Sequence, residues 1–311
     1  MKIRTHVPLR PYTTFDIGGE ADFFSSVKTL EDLKEAWNFS QHHELARIVI
    51  GGGSNLLVSE RGVAGMVIHI VYDRCEFKGT DVRVGAGCML DECVGKTIEC
   101  GLRGMESLSG IPGTVGGAVY GNAGAWGKSV GDVIAWVRCF NGSELKEFSK
   151  NECAFGYRTS VFKQAGEGVI WEIGCNLETG DRAPLRNTRQ AILAYRSVRY
   201  PRRAKSAGSF FKNVSATEFS EDLLSSFPSY AFSGNEISAG YLIEQAGLLG
   251  MRSGGLYVCP HQGNFLINKG HGDSNNVITL ARTVQSAVHD RFGVILEPEV
   301  RCVGFTENPF S

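Results

Sequence analysis

Two glycine-rich loops constrain this chain more than any other feature. Residues 110–129, GIPGTVGGAVYGNAGAWGKS, hold seven glycines in twenty positions, and a second cluster stands at residues 51–53. Tight turns alone rarely need this density, because glycine also lets a ligand or another backbone approach the chain closely. Such loops present bare backbone N–H groups, which bind phosphate without a lysine. The sequence therefore predicts that both loops hold one extended diphosphate.

The standard nucleotide-binding motifs do not account for these loops. The residues GKS at 127–129 end like a P-loop, but the glycine that this motif requires is replaced by Asn122, and no predicted strand leads directly into it. The cluster GGGSN has Leu56 where a dinucleotide-binding fingerprint has its third glycine. Neither a P-loop ATPase nor a Rossmann domain is expected.

Length and charge limit the class of protein further. The 311 residues suffice for about two domains, and the formal net charge of −1 provides no field for binding nucleic acid or an anionic membrane. The N-terminus has no apolar core of signal-peptide length, and no apolar run reaches the ~20 residues that span a bilayer. We expect a cytoplasmic protein, monomeric or weakly oligomeric, without nucleic-acid or membrane partners.

The nine cysteines do not follow a metal-binding pattern. Their number is odd, no Cys-x-x-Cys occurs, and the spacing of Cys88, Cys93 and Cys100 matches neither a zinc nor an iron–sulfur site. We predict no metal and interpret the cysteines as reduced, buried thiols that pack as small apolar side chains.

Hydrophobic periodicity and β-branched runs predict a mixed chain. Thr29 and Asp32 stand in capping-box spacing before a helix, Gly293 ends another, and the arginine-rich stretch 182–205 marks a candidate domain boundary. The predicted helices are 29–43, 89–100, around 189–196, 239–249 and 274–292, and the predicted strands are 47–50, 66–71, 133–139, 169–177, 209–214, 265–268 and 294–303.

Six stretches, in this order along the chain, carry a resemblance to one enzyme family. They are YTTFDIGGEADFF (12–24), IGGGSNLLV (50–58), SLSGIPGTVGGAVYGNAGA (107–125), FGYRTSVFK (155–163), SAGSFFKNV (206–214) and LEPEVRCVG (296–304). The glycine loops resemble the FAD-binding half of the vanillyl-alcohol-oxidase/CO-dehydrogenase flavoprotein fold and, more narrowly, the UDP-N-acetylenolpyruvoylglucosamine reductase family. The resemblance covers nearly the whole chain, although the stretch CPHQGNFLIN at 259–268 departs from the family's pattern.

The resemblance implies an α+β chain with a two-part FAD-binding fold. A small α+β subdomain would occupy residues 1–72, and a larger subdomain with mixed and antiparallel sheet would occupy 73–195. A C-terminal α+β substrate-binding domain would follow at 196–311, with its last strand (about 294–304) returning to the active site. Only 50 residues separate Arg158 from Ser209, so the chain resembles the shorter family form, which lacks a substrate-capping loop.

The implied reaction uses non-covalent FAD and NADPH. NADPH reduces the flavin, which delivers hydride to the β-carbon of an enolpyruvyl ether on a UDP-sugar, in peptidoglycan precursor synthesis. Arg158 would hold the substrate carboxylate with its planar fork. Ser209 would give a proton to the α-carbon, and Glu299 would stabilise charge as a protonated or hydrogen-bonded acid.

Each of these residues also has an ordinary interpretation. Arg158 could form a surface salt bridge, and Ser209 could be a turn or strand-edge hydroxyl. Glu299, with Glu297 on the same face of the last predicted strand, could be a solvated carboxylate. Tyr157 could be a core aromatic or a hydroxyl donor to substrate.

The binding residues are predicted from the loops and from their neighbours. Strand alternation would place Asn213 on the face of Ser209. Arg199 belongs with Arg202, Arg203 and Lys205 to a basic segment that could capture a diphosphate or could be a solvated linker. The predicted substrate-binding residues are Tyr157, Asn213, Gln262 and Arg199, and the predicted cofactor-binding residues are Gly51, Gly52, Gly53, Ser54, Asn55, Ser109, Gly110, Ile111, Pro112, Gly113, Gly117, Gly121, Asn122, Ala123 and Gly124.

Three other functions remain open at this stage. A flavin oxidase of the same fold would act on an alcohol or a sugar, but such enzymes often attach FAD covalently and neither glycine loop contains a histidine. A flavin or nucleotide sensor would need no Arg–Ser–Glu set. A structural protein would leave both glycine loops unexplained.

Overall fold

The computed structural model describes residues 2–166, 168–200 and 204–310. Its helices in these ranges are α1 (Leu30–His42), α2 (Leu90–Glu99), α3 (Val115–Tyr120), α4 (Val161–Gln164), α5 (Arg182–Arg199), α6 (Glu221–Ser226), α7 (Ala239–Gln245) and α8 (Ser274–Phe292). Its strands are β1 (Arg4–Pro8), β2 (Glu20–Val27), β3 (Arg47–Ile50), β4 (Leu56–Val58), β5 (Val63–Ile70), β6 (Cys75–Lys78), β7 (Asp81–Gly85), β8 (Leu102–Arg103), β9 (Gly124–Ala125), β10 (Lys128–Ser129), β11 (Ile134–Phe140), β12 (Leu145–Ser149), β13 (Val169–Asn176), β14 (Glu178–Thr179), β15 (Val214–Ser215), β16 (Phe232–Ser233), β17 (Glu236–Ile237), β18 (Arg252–Ser253), β19 (Leu256–Val258), β20 (Leu266–Asn268) and β21 (Arg301–Val303).

These elements form two compact units. The first unit contains the residues up to Val7, Ala21–Gly52 and Ala64–Val198. The second contains Pro8–Glu20, Gly53–Val63 and the chain from Arg199 onward.

The described residues of the first unit form two larger sheets that share an apolar core. One sheet has the strand order β1-β2-β5-β3, in which β3 and β5 run parallel, and the other is the antiparallel sheet β12-β11-β13-β7-β6. Helix α1 begins with the predicted capping box, since Asp32 N donates to Thr29 Oγ1 (3.1 Å) and Thr29 N donates to the Asp32 carboxylate (3.0 Å). Its buried Leu33 and Ala36 join α2, α3 and both sheets in a single apolar cluster.

The second unit is organised around α8. This helix has the predicted bounds, starts at a capping box between Asp273 and Asn276, and stops at Gly293, whose φ of 74° is left-handed. Its apolar stripe of Val277, Leu280, Val284 and Val288, spaced three or four residues apart in the sequence, is buried in the core. Around it lie the three-stranded groups β15-β17-β16 and β18-β19-β20, and β21 runs parallel to β4.

Two predicted strands are wrong over most of their length. The strand predicted at 209–214 is reduced to its last residue, because the backbone before it bonds to the Asn264 side chain and to the segment 297–299 instead of a neighbouring strand. The strand predicted at 294–303 begins only at Arg301. Pro298 interrupts it, since proline has no N–H to donate to a ladder.

Two predicted helices differ in length. Helix α5 extends over Arg182–Arg199 instead of 189–196, and Pro184 is tolerated because it lies in the first turn. Helix α7 stops at Gln245 instead of residue 249, because Gly247 takes a left-handed φ of 75° and ends the helix.

The second unit takes two segments that the predicted subdomain at 1–72 would include. Residues 8–20 join it through hydrogen bonds from Thr14 N to Gly53 O (3.1 Å) and from Gly19 N to Ser59 O (2.9 Å). Residues 53–63 join it through the pairing of β4 with β21. The division at residue 72 stays a prediction.

Candidate active site

The two glycine loops meet within the first unit. A Cβ atom added to Gly52 would lie 2.9 Å from the Cα atom of Gly113, and one on Gly51 would collide with the Thr114 hydroxyl. That hydroxyl also accepts a hydrogen bond from Gly117 N (3.3 Å). Glycine is required at 51 and 52 because the loops touch backbone to backbone.

At two positions of the second loop, neither packing nor backbone contact requires a glycine. A Cβ atom on Gly117 would have its nearest neighbour, the Thr114 hydroxyl, at 3.6 Å, and one on Gly121 would have Gly117 O at 3.8 Å. Both distances are ordinary contacts, and Gly121 has an ordinary φ of −95°. Because the fold tolerates a side chain at both positions, their glycines leave open surface that a ligand can approach closely. We call Gly117 and Gly121 the open glycines.

Most other glycines predicted to bind cofactor are needed by the fold itself. Gly53, Gly110 and Gly113 have positive φ values of 60°, 73° and 102°. A Cβ atom on Gly53 would also collide with Tyr12 O, and one on Gly124 would approach the facing hairpin strand. A side chain at these positions would distort the backbone itself, whether or not a ligand binds there.

The start of the second loop is held by a carboxylate that the sequence analysis missed. Asp91 accepts hydrogen bonds from Gly110 N (2.6 Å) and from both Nη atoms of Arg189 (2.6 and 2.9 Å). Burial acts to raise the pKa of Asp91, but these hydrogen bonds outweigh it and the pKa is lowered. A carboxylate in the first turn of a helix is too common to single out by sequence.

The remaining loop residues hold the loop together. Ser109 is buried and donates to Glu106 O (2.6 Å), Ile111 N donates to Leu108 O (3.2 Å), and Pro112 is exposed. Ala123 N donates to Ala118 O (2.8 Å). The backbone of this loop is therefore fixed.

Arg158 lies in a tight turn that is tied to the second glycine loop. Gly156 and Thr159 close the turn through reciprocal backbone hydrogen bonds (3.1 and 3.3 Å), and Arg158 itself has a left-handed φ of 55°. Asn122 Nδ2 donates to Gly156 O (2.8 Å), while Asn122 Oδ1 accepts from Gly131 N (3.0 Å). Asn122 has a φ of 44°, a conformation that asparagine tolerates better than most residues.

The guanidinium of Arg158 also reaches this loop. Its Nη1 lies 3.5 Å from Gly124 O, and its Cζ lies 5.7 Å from the ring centroid of the exposed Tyr157. Lys163 Nζ donates to Arg158 O (2.9 Å) and fixes the backbone of the turn. The open glycines and Arg158 thus belong to one hydrogen-bonded assembly.

The last residues of the second glycine loop, which resemble the end of a P-loop in sequence, form a hairpin. Strands β9 and β10 are joined by Trp126 and Gly127, with φ values of 58° and 71°, so that GKS forms a hairpin and not a phosphate loop. The Trp126 side chain is 54% exposed and meets the Tyr195 ring edge to face, with centroids 4.9 Å apart. A tryptophan at positive φ is unusual, and no sequence pattern predicts it.

In the second unit, Ser209 and Glu299 lie on neighbouring backbone segments. Glu299 N donates to Phe210 O (2.8 Å), and Phe211 pairs with Pro298 in an isolated bridge. Asn55 Nδ2 donates to Glu299 O (3.2 Å), and Arg301 N donates to Asn55 O (3.0 Å). The unit therefore groups three predicted site residues, Asn55, Ser209 and Glu299, of which the last two are half-buried.

A buried amide that the sequence analysis missed fixes the backbone beside Ser209. Asn264 is 5% exposed. Its side chain accepts from Phe211 N and donates to Phe211 O, both at 2.8 Å, and its backbone oxygen accepts from Phe210 N (2.8 Å). Asn264 stands inside the CPHQGNFLIN stretch, and the only signal in the sequence was a polar residue directly before the apolar run 265–267.

The predicted substrate-binding residues of this unit divide into two places. Asn213 Oδ1 accepts from Ala239 N (3.2 Å), and the Gln262 side chain lies against Gly240, so both flank the start of α7. Arg199 is exposed at the end of α5. Arg202 and Arg203 lie outside the described residues.

Two predictions that rested on strand alternation are wrong, one for Asn213 with Ser209 and one for Glu297 with Glu299. Asn213 does not alternate with Ser209, because no strand contains both. Glu297 does not share a strand face with Glu299, and its carboxylate forms an ion pair with Lys212 at 2.6 Å.

Two further observations concern metals and membranes. Over the described ranges, no group of three or more histidine, cysteine, aspartate or glutamate side chains is placed to hold a metal ion. Within the same part of the chain, no helix has the length and apolar character needed to cross a membrane. The nine cysteines all lie in the described residues, and none of them is in a disulfide.

Comparison with known proteins identifies the family. Residues 21–144 match the family described as FAD binding domain, and residues 200–303 match the family described as UDP-N-acetylenolpyruvoylglucosamine reductase, C-terminal domain. The chain is 34% identical to the UDP-N-acetylenolpyruvoylglucosamine reductase of Solibacter usitatus, over 98% of this chain and 97% of that protein. It is 35% identical to the enzyme of the same name from Carboxydothermus hydrogenoformans, over 96% of this chain and 92% of that protein.

A solved structure agrees with these matches. The crystal structure of UDP-N-acetylenolpyruvylglucosamine reductase (MurB) from Thermus caldophilus is 30% identical, covers 97% of this chain and 98% of its own, and superposes with a TM-score of 0.77. The predicted α+β fold class, with an FAD-binding part followed by the C-terminal domain of this family, is confirmed. The chain therefore belongs to the UDP-N-acetylenolpyruvoylglucosamine reductase family of FAD-dependent oxidoreductases.

Proposed function

We propose that this protein uses NADPH to reduce the enolpyruvyl ether of UDP-N-acetylglucosamine enolpyruvate to UDP-N-acetylmuramate. The reaction would supply peptidoglycan precursors in the cytoplasm, and the protein would act as a monomer or weak oligomer. One observation supports this most strongly: the open glycines and Arg158 are joined by Asn122 into one assembly. The assembly combines a surface for close ligand approach with a cation suited to a carboxylate.

The residues present fit FAD as the cofactor. The loops at Gly51–Gly52 and Gly113–Thr114 touch each other, and the open glycines leave room that a Cβ atom would fill. Backbone N–H groups of these loops would hold the diphosphate. FAD, when bound, supplies the capacity to accept a hydride from NADPH and to pass it to the β-carbon of the substrate. No histidine stands in either loop, which favours non-covalent binding.

Arg158 would bind and polarise the substrate carboxylate. Hydride addition to the β-carbon moves negative charge through the α-carbon into this carboxylate. A planar guanidinium can follow that charge with two parallel hydrogen bonds. Because the turn is closed by Gly156 and Thr159 and tied by Asn122, the backbone that carries the guanidinium would be fixed before the charge develops.

Ser209 and Glu299 would serve the proton transfer. A hydroxyl is a weak acid in water, so its use needs close placement beside a carbon that becomes basic. The hydrogen bonds of Asn264 and Glu299 N fix the backbone next to Ser209. Glu299 would stabilise the charge that develops at this carbon as a hydrogen-bonded acid.

Product analysis in heavy water tests this function. Incubation with NADPH and UDP-N-acetylglucosamine enolpyruvate in D₂O should give UDP-N-acetylmuramate with one deuterium at the α-carbon, because the Ser209 hydroxyl exchanges with solvent. 4-Deuterated NADPH in ordinary water should place the label at the β-carbon instead. A flavin oxidase would oxidise an alcohol or a sugar and leave this substrate intact, and a sensor would give no product.

The open glycines provide a test of cofactor binding. We expect Gly121→Val to fold but to retain little flavin, because its side chain would fill the surface that the ligand approaches. The flavin-to-protein absorbance ratio after purification and the thermal unfolding midpoint are the two measurements. Gly53→Val is unsuitable, since its positive φ and the nearby Tyr12 O would disturb the fold itself.

Gly95→Ala is the matched control for this variant. Gly95 lies inside α2, and its added Cβ atom would have its nearest neighbour at 3.8 Å, as at Gly121. The alanine should keep full flavin and raise stability by about 1 kcal/mol, the usual gain inside a helix. Full flavin occupancy in Gly121→Val would mean that the open glycines do not face the cofactor.

Asn122 tests whether the assembly positions Arg158. Asn122→Gly keeps the positive φ but removes the hydrogen bonds to Gly156 and Gly131, so the turn carrying Arg158 loses its tie. We expect kcat to fall roughly 10–100-fold, the scale of a misplacement of about 1 Å. Steady-state kinetics with flavin-saturated protein measures this, and an unchanged kcat would show that Asn122 does not position Arg158.

A further inference from the structure

A threonine of the segment 8–20 lies between two predicted parts of the active site in the second unit. Thr14 N donates to Gly53 O (3.1 Å), at the end of the first glycine loop. The Thr14 hydroxyl lies 2.7 Å from Ser206 O and 3.4 Å from Gly53 O. Because a hydroxyl has one proton and the shorter contact is the better hydrogen bond, the proton goes to Ser206 O. Thr14 therefore binds the glycine loop through its amide and the backbone before Ser209 through its hydroxyl.

The contact between this segment and the glycine loop is close. A Cβ atom added to Gly53 would collide with Tyr12 O and would lie 2.9 Å from the Cα atom of Thr13. The two backbones thus pack directly on each other, which only a glycine allows at this place. Thr14 follows directly after this contact, so its hydroxyl has a fixed position relative to the loop.

The backbone from Ser206 to Ser209 is a turn that depends on outside contacts. Gly208 has a left-handed φ of 78°, and its amide donates to Ser206 Oγ over a long distance of 3.4 Å. Glycine is the most permissive residue, so the turn does not fix its own conformation. Beyond the turn, Phe210 N donates to Asn264 O (2.8 Å). The place of Ser209 is therefore set by what holds the two ends of the turn.

Two further contacts join the same segments one residue earlier. Asn268 N donates to Lys205 O (2.8 Å), and the Asn268 side chain donates to Asp16 O (3.2 Å). Lys205 also forms an ion pair with the Asp16 carboxylate at 2.6 Å, on the surface, where such pairs contribute little. These contacts fix where the segment begins, whereas the hydroxyl of Thr14 holds Ser206, the first residue of the turn.

We propose that Thr14 positions Ser209 for proton transfer, by holding the turn that carries Ser209 in place relative to the first glycine loop. The inference rests on the proposed function, since it takes Ser209 as the donor to the substrate α-carbon. Thr14 is a positioning residue, because its own proton is used in the bond to Ser206 O. Loss of its hydroxyl should release the turn and slow proton transfer, without a direct effect on flavin reduction by NADPH.

Rapid mixing of three variants tests this role. Thr14→Val keeps the shape of the side chain but has no hydroxyl, and transfer to the enolpyruvyl substrate should slow roughly 10–100-fold, the scale of a misplacement of about 1 Å. Flavin reduction by NADPH should stay near the wild-type rate. Thr14→Ala also lacks the hydroxyl and should be slow in the same half-reaction, whereas Thr14→Ser should stay near the wild-type rate in both.

Thr13→Val is the matched control for stability. Thr13 is buried, and its hydroxyl lies 3.1 Å from Ile17 O and 3.2 Å from Arg10 O, both within the segment 8–20. We expect this variant to lower the thermal unfolding midpoint as Thr14→Val does, but to leave both half-reactions unchanged. If Thr13→Val slows substrate reduction as much as Thr14→Val, or if Thr14→Ser is as slow as Thr14→Val, the hydroxyl only stabilises the segment and the proposal is overturned.

Amide hydrogen exchange of the flavin-bound protein separates this proposal from the proposed function. Without NADPH or substrate, a peptide covering residues 205–210 should exchange faster in Thr14→Val and Thr14→Ala than in the wild type, Thr14→Ser and Thr13→Val. A wild-type protein that leaves the enolpyruvyl ether intact would contradict the proposed function itself. In a wild-type protein that converts it, unchanged exchange of this peptide or an unchanged rate in Thr14→Val would refute the positioning role alone.

Discussion

Ser209→Ala should slow transfer to the enolpyruvyl substrate by roughly 10²–10⁴-fold, the usual scale for the loss of a positioned general acid. The proton that we assign to Ser209 is needed only at the substrate α-carbon. NADPH does not need it, so reduction of the flavin by NADPH should stay near the wild-type rate. Rapid-mixing absorbance of the flavin follows the two half-reactions separately.

Ser209→Cys is the matched variant for this prediction. A thiol is a stronger acid of similar reach, so it should recover part of the lost rate. Asn264 and Glu299 N hold the backbone beside Ser209 through hydrogen bonds, so the backbone should stay in place in both variants. If Ser209→Ala slows both half-reactions equally, Ser209 supports the cofactor or the backbone, and Glu299 becomes the candidate acid.

Arg158→Ala and Glu299→Ala should each lower turnover by roughly 10²–10³-fold, or about 3–4 kcal/mol of transition-state stabilisation. We propose that both side chains stabilise negative charge that appears only during hydride addition. Substrate affinity should therefore change much less than kcat. Arg158→Lys should remain well below wild type, because an ammonium group keeps the charge but loses the planar fork. Steady-state kinetics at saturating NADPH gives both parameters.

A different kinetic pattern would reassign these residues. A rise in KM with unchanged kcat means that a residue binds ground state and transition state equally. Lys212→Met is a useful control for Glu299→Ala, since Lys212 pairs with the exposed Glu297 on the adjacent segment. This surface ion pair should contribute at most about 1 kcal/mol to the free energy of unfolding.

The helices whose signals are local were predicted well from the sequence. Helix α1 begins at a capping box formed within four residues, and α8 carries its stripe, its cap and its terminal glycine in one continuous segment. Those interactions involve neighbours along the chain, so the pattern contains them.

The segments whose conformation depends on distant partners were not predicted well from the sequence. The backbone at Phe210 and Phe211 bonds to Asn264, more than fifty residues away, and to residues near Glu299. Its apolar, β-prone residues resemble a strand, but the partner that decides its conformation is not visible locally. The same holds for Asp91, whose role depends on Gly110 and Arg189.

The site itself was predicted as residues rather than as an arrangement. Family resemblance singled out Arg158, but nothing in the sequence predicts its left-handed backbone or its tie to Asn122. Nor could the sequence separate the open glycines from those that turns or packing require, because that distinction depends on what a Cβ atom would meet.

The absorbance spectrum of the purified protein under anaerobic conditions tests the central claim most directly. We predict a yellow protein whose flavin band bleaches on addition of NADPH and returns only when UDP-N-acetylglucosamine enolpyruvate is added. After denaturation the colour should pass into the supernatant, because the flavin is not covalently attached. A colourless protein, or a flavin band that NADPH leaves unchanged, would contradict the proposed function.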